Sequence, residues 1–251
     1  MKETNDFMKS ISLNTILYWI KKEKNPVKKK AFEIIKALKL DYSKKDMDEV
    51  LRVIDDSSLL FEGFLKYNKT THSKLESSTI ALTRAFAEYD NDYRQLVCNS
   101  ILEVKDSNGK RMFGFLKRSS TYKENRLSDL VGMVGGHTNI NDGNLFACLV
   151  RELSEEIKNI SFEDSKIEPL GYIRLNNGTV SNQHLCVLYV THLSGDIIAL
   201  KSNEENEKLI WLNEDQIRVA LTENKRDGHM ASLLDSWAKI AMENYLNIKN
   251  E

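Results

Sequence analysis

The chain has 251 residues, 36 Lys+Arg against 37 Asp+Glu for a formal net charge of −1, and 41% hydrophobic residues, enough for one large or two small domains with a buried core. A balance this close to zero argues against a protein that works mainly by coating nucleic acid or an anionic membrane. No signal-peptide pattern opens the sequence and no apolar run approaches the roughly 20 residues that span a bilayer, so the reading is a soluble, cytoplasmic protein.

Residues 1–75 differ from the rest, with 16 Lys+Arg against 11 Asp+Glu and a basic run from Lys21 to Lys30. Apolar spacing suggests helices around Ile11–Ile20 and Ala31–Leu38, separated by Pro26, and a third through Val50, Leu51, Ile54 and Leu59–Leu65. This predicts a small all-α module. It reads as structural or oligomerising, which leaves a homodimer open; a nucleic-acid reader is the alternative, though no aromatic stacking platform accompanies the basic turn. The polar stretch Lys66–Lys74 reads as the linker to a second domain over residues 76–251.

In that domain Ile101–Val104 and Met112–Leu116 read as strands joined by the turn Asp106-Ser107-Asn108-Gly109. Lys117 and Arg118 end the second strand; they suit capture of substrate phosphates or, equally, a charged strand end. Leu130–Val134 is a short strand into Gly135-Gly136-His137, where two glycines allow a backbone other residues resist and let a main-chain carbonyl approach a ligand. His137, just after them, is a candidate substrate contact. Asp142-Gly143-Asn144 supplies helix-start chemistry. The helix that follows has an apolar face of Phe146, Leu149, Val150, Leu153 and Ile157 and, on the side opposite, Glu152, Glu155 and Glu156 at i, i+3 and i+4. Three uncompensated carboxylates invite a cation, and with no His or Cys beside them that cation is Mg²⁺ or Mn²⁺ rather than zinc.

These residues resemble the Nudix hydrolase signature: G, five residues, E, seven residues, then R-E-U-x-E-E-x-G-U with U aliphatic. Gly136, Arg151, Glu152, Leu153, Glu155 and Glu156 match as they stand. Asp142 stands where the first Glu belongs, the loop after it is one residue longer, and Lys158 replaces the glycine beyond the paired glutamates. Upstream, Arg84, Glu88 and Asp90, and Arg126-Leu127 before the glycine pair, resemble a bacterial Nudix subgroup labelled predicted phosphoesterase, as does Leu234-Asp235-Ser236-Trp237 near the end. The resemblance covers the chain from about Thr83 onward.

Pro169–Leu175 and His184–Val190 read as further strands, with His184 a hydrogen-bonded core histidine. Glu204–Glu207 is an acidic loop that could add a ligand or general base. Asn213 and Gln216 have the form of a capping box, and a last helix runs from about Met230 through Trp237 to Ala241. The resemblance implies an α/β fold, the Nudix α/β/α sandwich with a mixed sheet, and a metal-dependent hydrolase that cleaves the diphosphate linkage of a nucleoside diphosphate derivative or related small molecule. Glu152, Glu155, Glu156 and the Gly136 carbonyl would hold the ion, with Arg151 bracing the carboxylates. A non-hydrolytic nucleotide sensor acting through the N-terminal module is the alternative. Isomerisation of an isoprenyl diphosphate is a third, for which Cys98 is the only loosely placed cysteine.

Overall fold

The computed structural model describes residues 15, 18, 21–26, 28–29, 49–88, 92–118, 131–162, 165–176, 181–194, 200–202, 206–222 and 234–248. The two helices expected before residue 39 fall almost wholly outside these, as do Asp90, Arg126-Leu127, Glu204-Glu205 and Met230. Residues 50–75, assigned above to the helical module and its linker, belong to the sheet and its cover. Strand β1 (Val50–Asp55) pairs with two other strands, and β2 (Gly63–Lys66) forms an edge of the same sheet. The run Val50-Leu51-Arg52-Val53-Ile54 has apolar residues at spacings that fit either helix or strand. Its β-branched residues and the ladders available on both sides decide for strand. The expected linker holds helix α1 (Lys69–Ser77), capped by Asn68, whose side chain accepts from Thr71 N, and anchored by one buried residue, Leu75. One anchor is too few to show as periodicity.

After β3 (Ile80–Thr83) and the single turn α2 (Arg84–Ala87), the long strand β4 (Tyr93–Lys105) organises the sheet. Its turn into β5 (Arg111–Arg118) is the expected hairpin: Asp106 accepts from the Asn108 and Lys110 amides, and Gly109 takes φ 78°. Then come β6 (Val131–Gly132), β7 (Val134–His137), helix α3 (Leu145–Glu156), β8 (Ile157–Lys158), β9 (Lys166–Arg174) and β10 (His184–His192). The chain closes with β11 (Lys201–Ser202), β12 (Asn206–Asn213), α4 (Glu214–Thr222) and α5 (Ser236–Ile248). The capping box forms reciprocally, with Asn213 N donating to Gln216 Oε1 at 2.9 Å and Gln216 N to Asn213 Oδ1 at 3.0 Å. Among the described residues no helix is long and apolar enough to cross a membrane.

The sheet order is β12-β5-β4-β10-β9-β2, and it is mixed because β10 runs parallel to β4 while β9, β5 and β12 pair antiparallel. On its other edge β4 pairs in turn with β1, β7 and β5. Side chains alternate between two cores. Leu96, Cys98 and Leu102 of β4 with Leu185, Val187 and Tyr189 of β10 pack under Leu145, Leu149 and Leu153 of α3. Val97 and Ile101 with Cys186, Leu188 and Val190 pack under Ile217 of α4 and Ala238, Ala241 and Tyr245 of α5. Helix α3 therefore covers one face and α4 and α5 the other, an α/β/α arrangement. All three cysteines are buried and free.

Candidate active site

Helix α3 starts where Asn144 caps the amide of Ala147 at 2.8 Å, and Glu76 of α1 accepts from the Leu145 amide at 3.1 Å. Its buried face is Leu145, Cys148, Leu149, Glu152 and Leu153. This is rotated from the expected face: Phe146 is 48% exposed, and Glu152, expected on the solvent side, is only 8% exposed. The glycine pair makes room for it. Gly136 pairs with Cys98 across β4 and β7, and a Cβ on Gly136 would lie 2.3 Å from Glu152 Oε2. Gly135 has φ 144°, and a Cβ there would meet the Cys98 carbonyl at 2.0 Å, so neither position admits a side chain. Beyond the helix the left-handed residue is Asn159, φ 64°, a conformation asparagine tolerates. Lys158 thus costs the site no turn.

Arg151 joins the elements. Its Nε and Nη2 donate to Asp142 Oδ1 and Oδ2 at 2.8 and 3.0 Å, a two-pronged pair, and Nη2 also donates to the His137 carbonyl at 2.9 Å. Nη1 donates to Glu152 Oε1 at 2.6 Å and to Glu155 Oε2 at 3.2 Å. Asp142 in turn accepts the Asn139 amide at 2.7 Å. Burial pushes the Asp142 carboxyl up, but hydrogen bonds from Arg151 and Asn139 more than offset it and hold it below the usual range. For Glu152 burial dominates, and Arg151 offsets it only in part, so its carboxyl lies above the usual range. Hydrogen bonds and charge from Asp142 and Glu152 hold the Arg151 guanidinium in its charged form.

Glu155 is exposed and Glu156 half-buried on the last turn of α3. Among the described residues no three His, Cys, Asp or Glu side chains stand close enough together to hold an ion as they are; Arg151 holds Glu152 and Glu155 instead. The donors themselves fit a hard divalent ion. They are all oxygens, and the missing Cβ of Gly136 puts the Glu152 carboxylate against the β7 main chain.

His137, Lys117 and the glutamates do not share a face. His137 pairs with Val97, so its ring lies on the α5 side, where its Nε2 is 3.0 Å from His184 Nε2. The His184 ring is 6.1 Å from that of Trp237, and His184 is the buried, hydrogen-bonded histidine expected. Lys117 follows Phe113 and Phe115 in strand alternation and lies on the α5 side too; Arg118 pairs with Asn206 at the end of β5. Cys98 lies in the core under α3 with its thiol pushed up by burial, which removes the one cysteine available for isomerase chemistry.

Sequence reasoning named Asp142 as part of a helix start and as a departure from a motif, and missed that it clamps Arg151. The signal was its position, nine residues before Arg151 at the start of the helix. Gln95 was missed as well: it is a polar residue at an inward position of β4, fully buried.

Residues 99–234 match the model of the NUDIX domain family. Among solved structures, that of Tm1382, assigned to the Nudix hydrolases, aligns with TM-score 0.59 at 21% identity over 80% of this chain and 100% of that one. A MutT/nudix family protein from Enterococcus faecalis aligns with TM-score 0.48 at 15% identity over 63% of each chain. No curated protein sequence matches. The likeness to Tm1382 is one of fold, while the family match spans more than half of the 251 residues and contains the glycine pair and all of α3. The chain therefore belongs to the NUDIX domain family.

Proposed function

We propose that the protein hydrolyses the diphosphate linkage of a nucleoside diphosphate derivative and that Glu152, Glu155, Glu156 and the Gly136 carbonyl hold the Mg²⁺ or Mn²⁺ the reaction needs. The observation that carries this reading is the inward Glu152, a carboxylate buried against a glycine that could bear no side chain. A fold has no packing reason to bury a carboxylate beside two more on the same helix, where like charges repel. Bound there, a divalent ion supplies neutralisation of the diphosphate oxygens and activation of water. The residues of the chain set up that chemistry. Asp142 fixes Arg151, Arg151 holds Glu152 and Glu155 until the ion competes for them, and the His137 carbonyl ties the helix to the glycine strand.

The test is incubation of purified protein with Mg²⁺ and a panel of nucleoside diphosphate derivatives, followed by product analysis. Cleavage at the diphosphate that stops on chelation and returns with added metal is expected. Turnover indifferent to chelator, or no cleavage across the panel with metal demonstrably bound, would overturn the assignment.

A further inference from the structure

The loop between β7 and α3 is held by elements that precede the segment matching the family. Arg52 of β1 grips it twice: its main-chain N–H donates to the Thr138 carbonyl at 2.8 Å, and its Nη2 donates to the Asp142 carbonyl at 2.5 Å. Beside it the Val50 carbonyl accepts the Ile140 amide at 3.0 Å. Three residues past Asp142, Glu76 of α1 accepts the Leu145 amide, one of the N–H groups that a helix start leaves without an internal partner. His72 stands between Glu76 and β9, its Nε2 3.8 Å from Glu76 Oε1 and its Nδ1 3.3 Å from the Tyr172 hydroxyl. Arg52 and Glu76 both come before residue 99, where the family match begins.

Asp142 is the residue on which these contacts bear. It is buried, its carboxylate takes two N–H groups of Arg151, and Arg151 carries Glu152 and Glu155. A shift of the Asp142 peptide therefore passes through one guanidinium to two of the carboxylates proposed to hold the ion. Arg52 and Glu76 are half-buried, so each has water within reach as an alternative partner. Instead they bond main-chain groups 90 and 69 residues further along the chain, three residues apart at the start of one helix. We infer that Arg52 and Glu76 are positioning residues for the reaction: they fix the start of α3 so that Asp142, Arg151 and Glu152 stay in register with Gly136, while neither touches ion or substrate. The inference rests on the hydrolase reading and deepens it by placing part of the catalytic apparatus in β1 and α1.

Four variants of the full chain, in two pairs, test this. Arg52→Met removes the donor and keeps an extended stem, while Arg52→Lys keeps a donor for the carbonyl; Glu76→Leu removes the acceptor, while Glu76→Gln keeps it. For each, kcat and KM are measured on the best diphosphate substrate, with Mn²⁺ affinity by calorimetry and the metal-free melting temperature alongside. Arg52→Met and Glu76→Leu should each lower kcat by about tenfold or more and weaken Mn²⁺ binding, the effect of losing a group that orients metal ligands, with KM close to wild type. Arg52→Lys and Glu76→Gln should recover most of that loss. A lower melting temperature with kcat per folded molecule and Mn²⁺ affinity unchanged would reduce both residues to structural contacts and overturn the inference. So would a raised KM at constant kcat, which marks direct contact with substrate, or conservative variants as poor as the removals. If Arg52→Met does not fold, Glu76→Leu decides, because the Glu76 side chain is 34% exposed and its replacement strands no buried charge. Wild type that neither binds Mn²⁺ nor cleaves any diphosphate would end the hydrolase reading and this inference with it. Wild type that does both, beside variants that match it, would end this inference alone.

Discussion

Two guanidinium networks in this protein use the same parts in opposite proportion. Near the β9 end of the sheet, Arg94 and Arg174 both converge on the single carboxylate of Asp56, and their other N–H groups end on the carbonyls of Leu175, His184 and Phe61 and on the Asn176 side chain. Beside the glycine pair, the single guanidinium of Arg151 is shared among Asp142, Glu152 and Glu155. Burial does not distinguish them, since Arg94 is 3% and Glu152 8% exposed. The sign and size of the excess do. A surplus of cation can be closed by main-chain oxygens, which every strand end offers. A surplus of carboxylate needs donors or a cation, and the helix bearing Glu152, Glu155 and Glu156 brings only one arginine.

If that difference separates function from structure, neutralising one carboxylate should act on chemistry at one network and on stability at the other. Glu156→Gln keeps size and hydrogen-bonding capacity, so the metal-free stability should fall by no more than about half a kcal/mol, or rise as repulsion from Glu152 eases. Turnover of the best diphosphate substrate should fall by about a hundredfold or more, with weaker Mn²⁺ binding. Retained turnover would reduce the acidic helix to a solvated face. Asp56→Ala should do the reverse, lowering stability by about 2–3 kcal/mol because Arg94 is left buried without its counter-charge. Denaturant unfolding measures this, and turnover per folded molecule should match wild type. Between the two stands Gly136→Ala, whose new Cβ would press on the Glu152 carboxylate. Overpacking of about 1–3 kcal/mol and weakened Mn²⁺ binding should appear together; a stable variant with intact metal binding would show that Glu152 can yield without consequence.

The contrast also marks what the sequence made legible. Gly136 and the R-E-L-S-E-E run were readable because each chemical need shows as residue type at fixed spacing, and so were the Asp106–Gly109 turn and the Asn213–Gln216 box, which are local in the chain. The inward turn of Glu152 was not, since it depends on a missing Cβ in β7, sixteen residues away. The same holds for β1, whose strand state is set by β3 and β4, and for α1, which has one buried anchor. The Asp56 network lay beyond reach altogether: its members at 56, 94 and 174 meet only because β1, β4 and β9 come together in the sheet.

The smallest effect separates the networks by pH. Burial pushes the Asp56 carboxyl up, but hydrogen bonds and charge from Arg94 and Arg174 outweigh it, so the folded value lies below the ordinary 3.8. A group depressed on folding adds stability that is complete above its unfolded value and disappears as pH falls through its folded value. From about pH 7 to about pH 5 both states hold Asp56 ionised, and the stability gap between wild type and Asp56→Asn should stay constant. Below about 3.8 the unfolded chain takes up its proton first, so wild type should lose stability faster than the variant and the gap should close toward about pH 2. Melting curves of both proteins across this range are sufficient. A gap that persists to the acid limit would mean that Arg94 and Arg174 hold a neutral carboxyl as firmly as a charged one. The cluster would then be held by hydrogen-bond geometry, and counting charge would no longer tell the two networks apart.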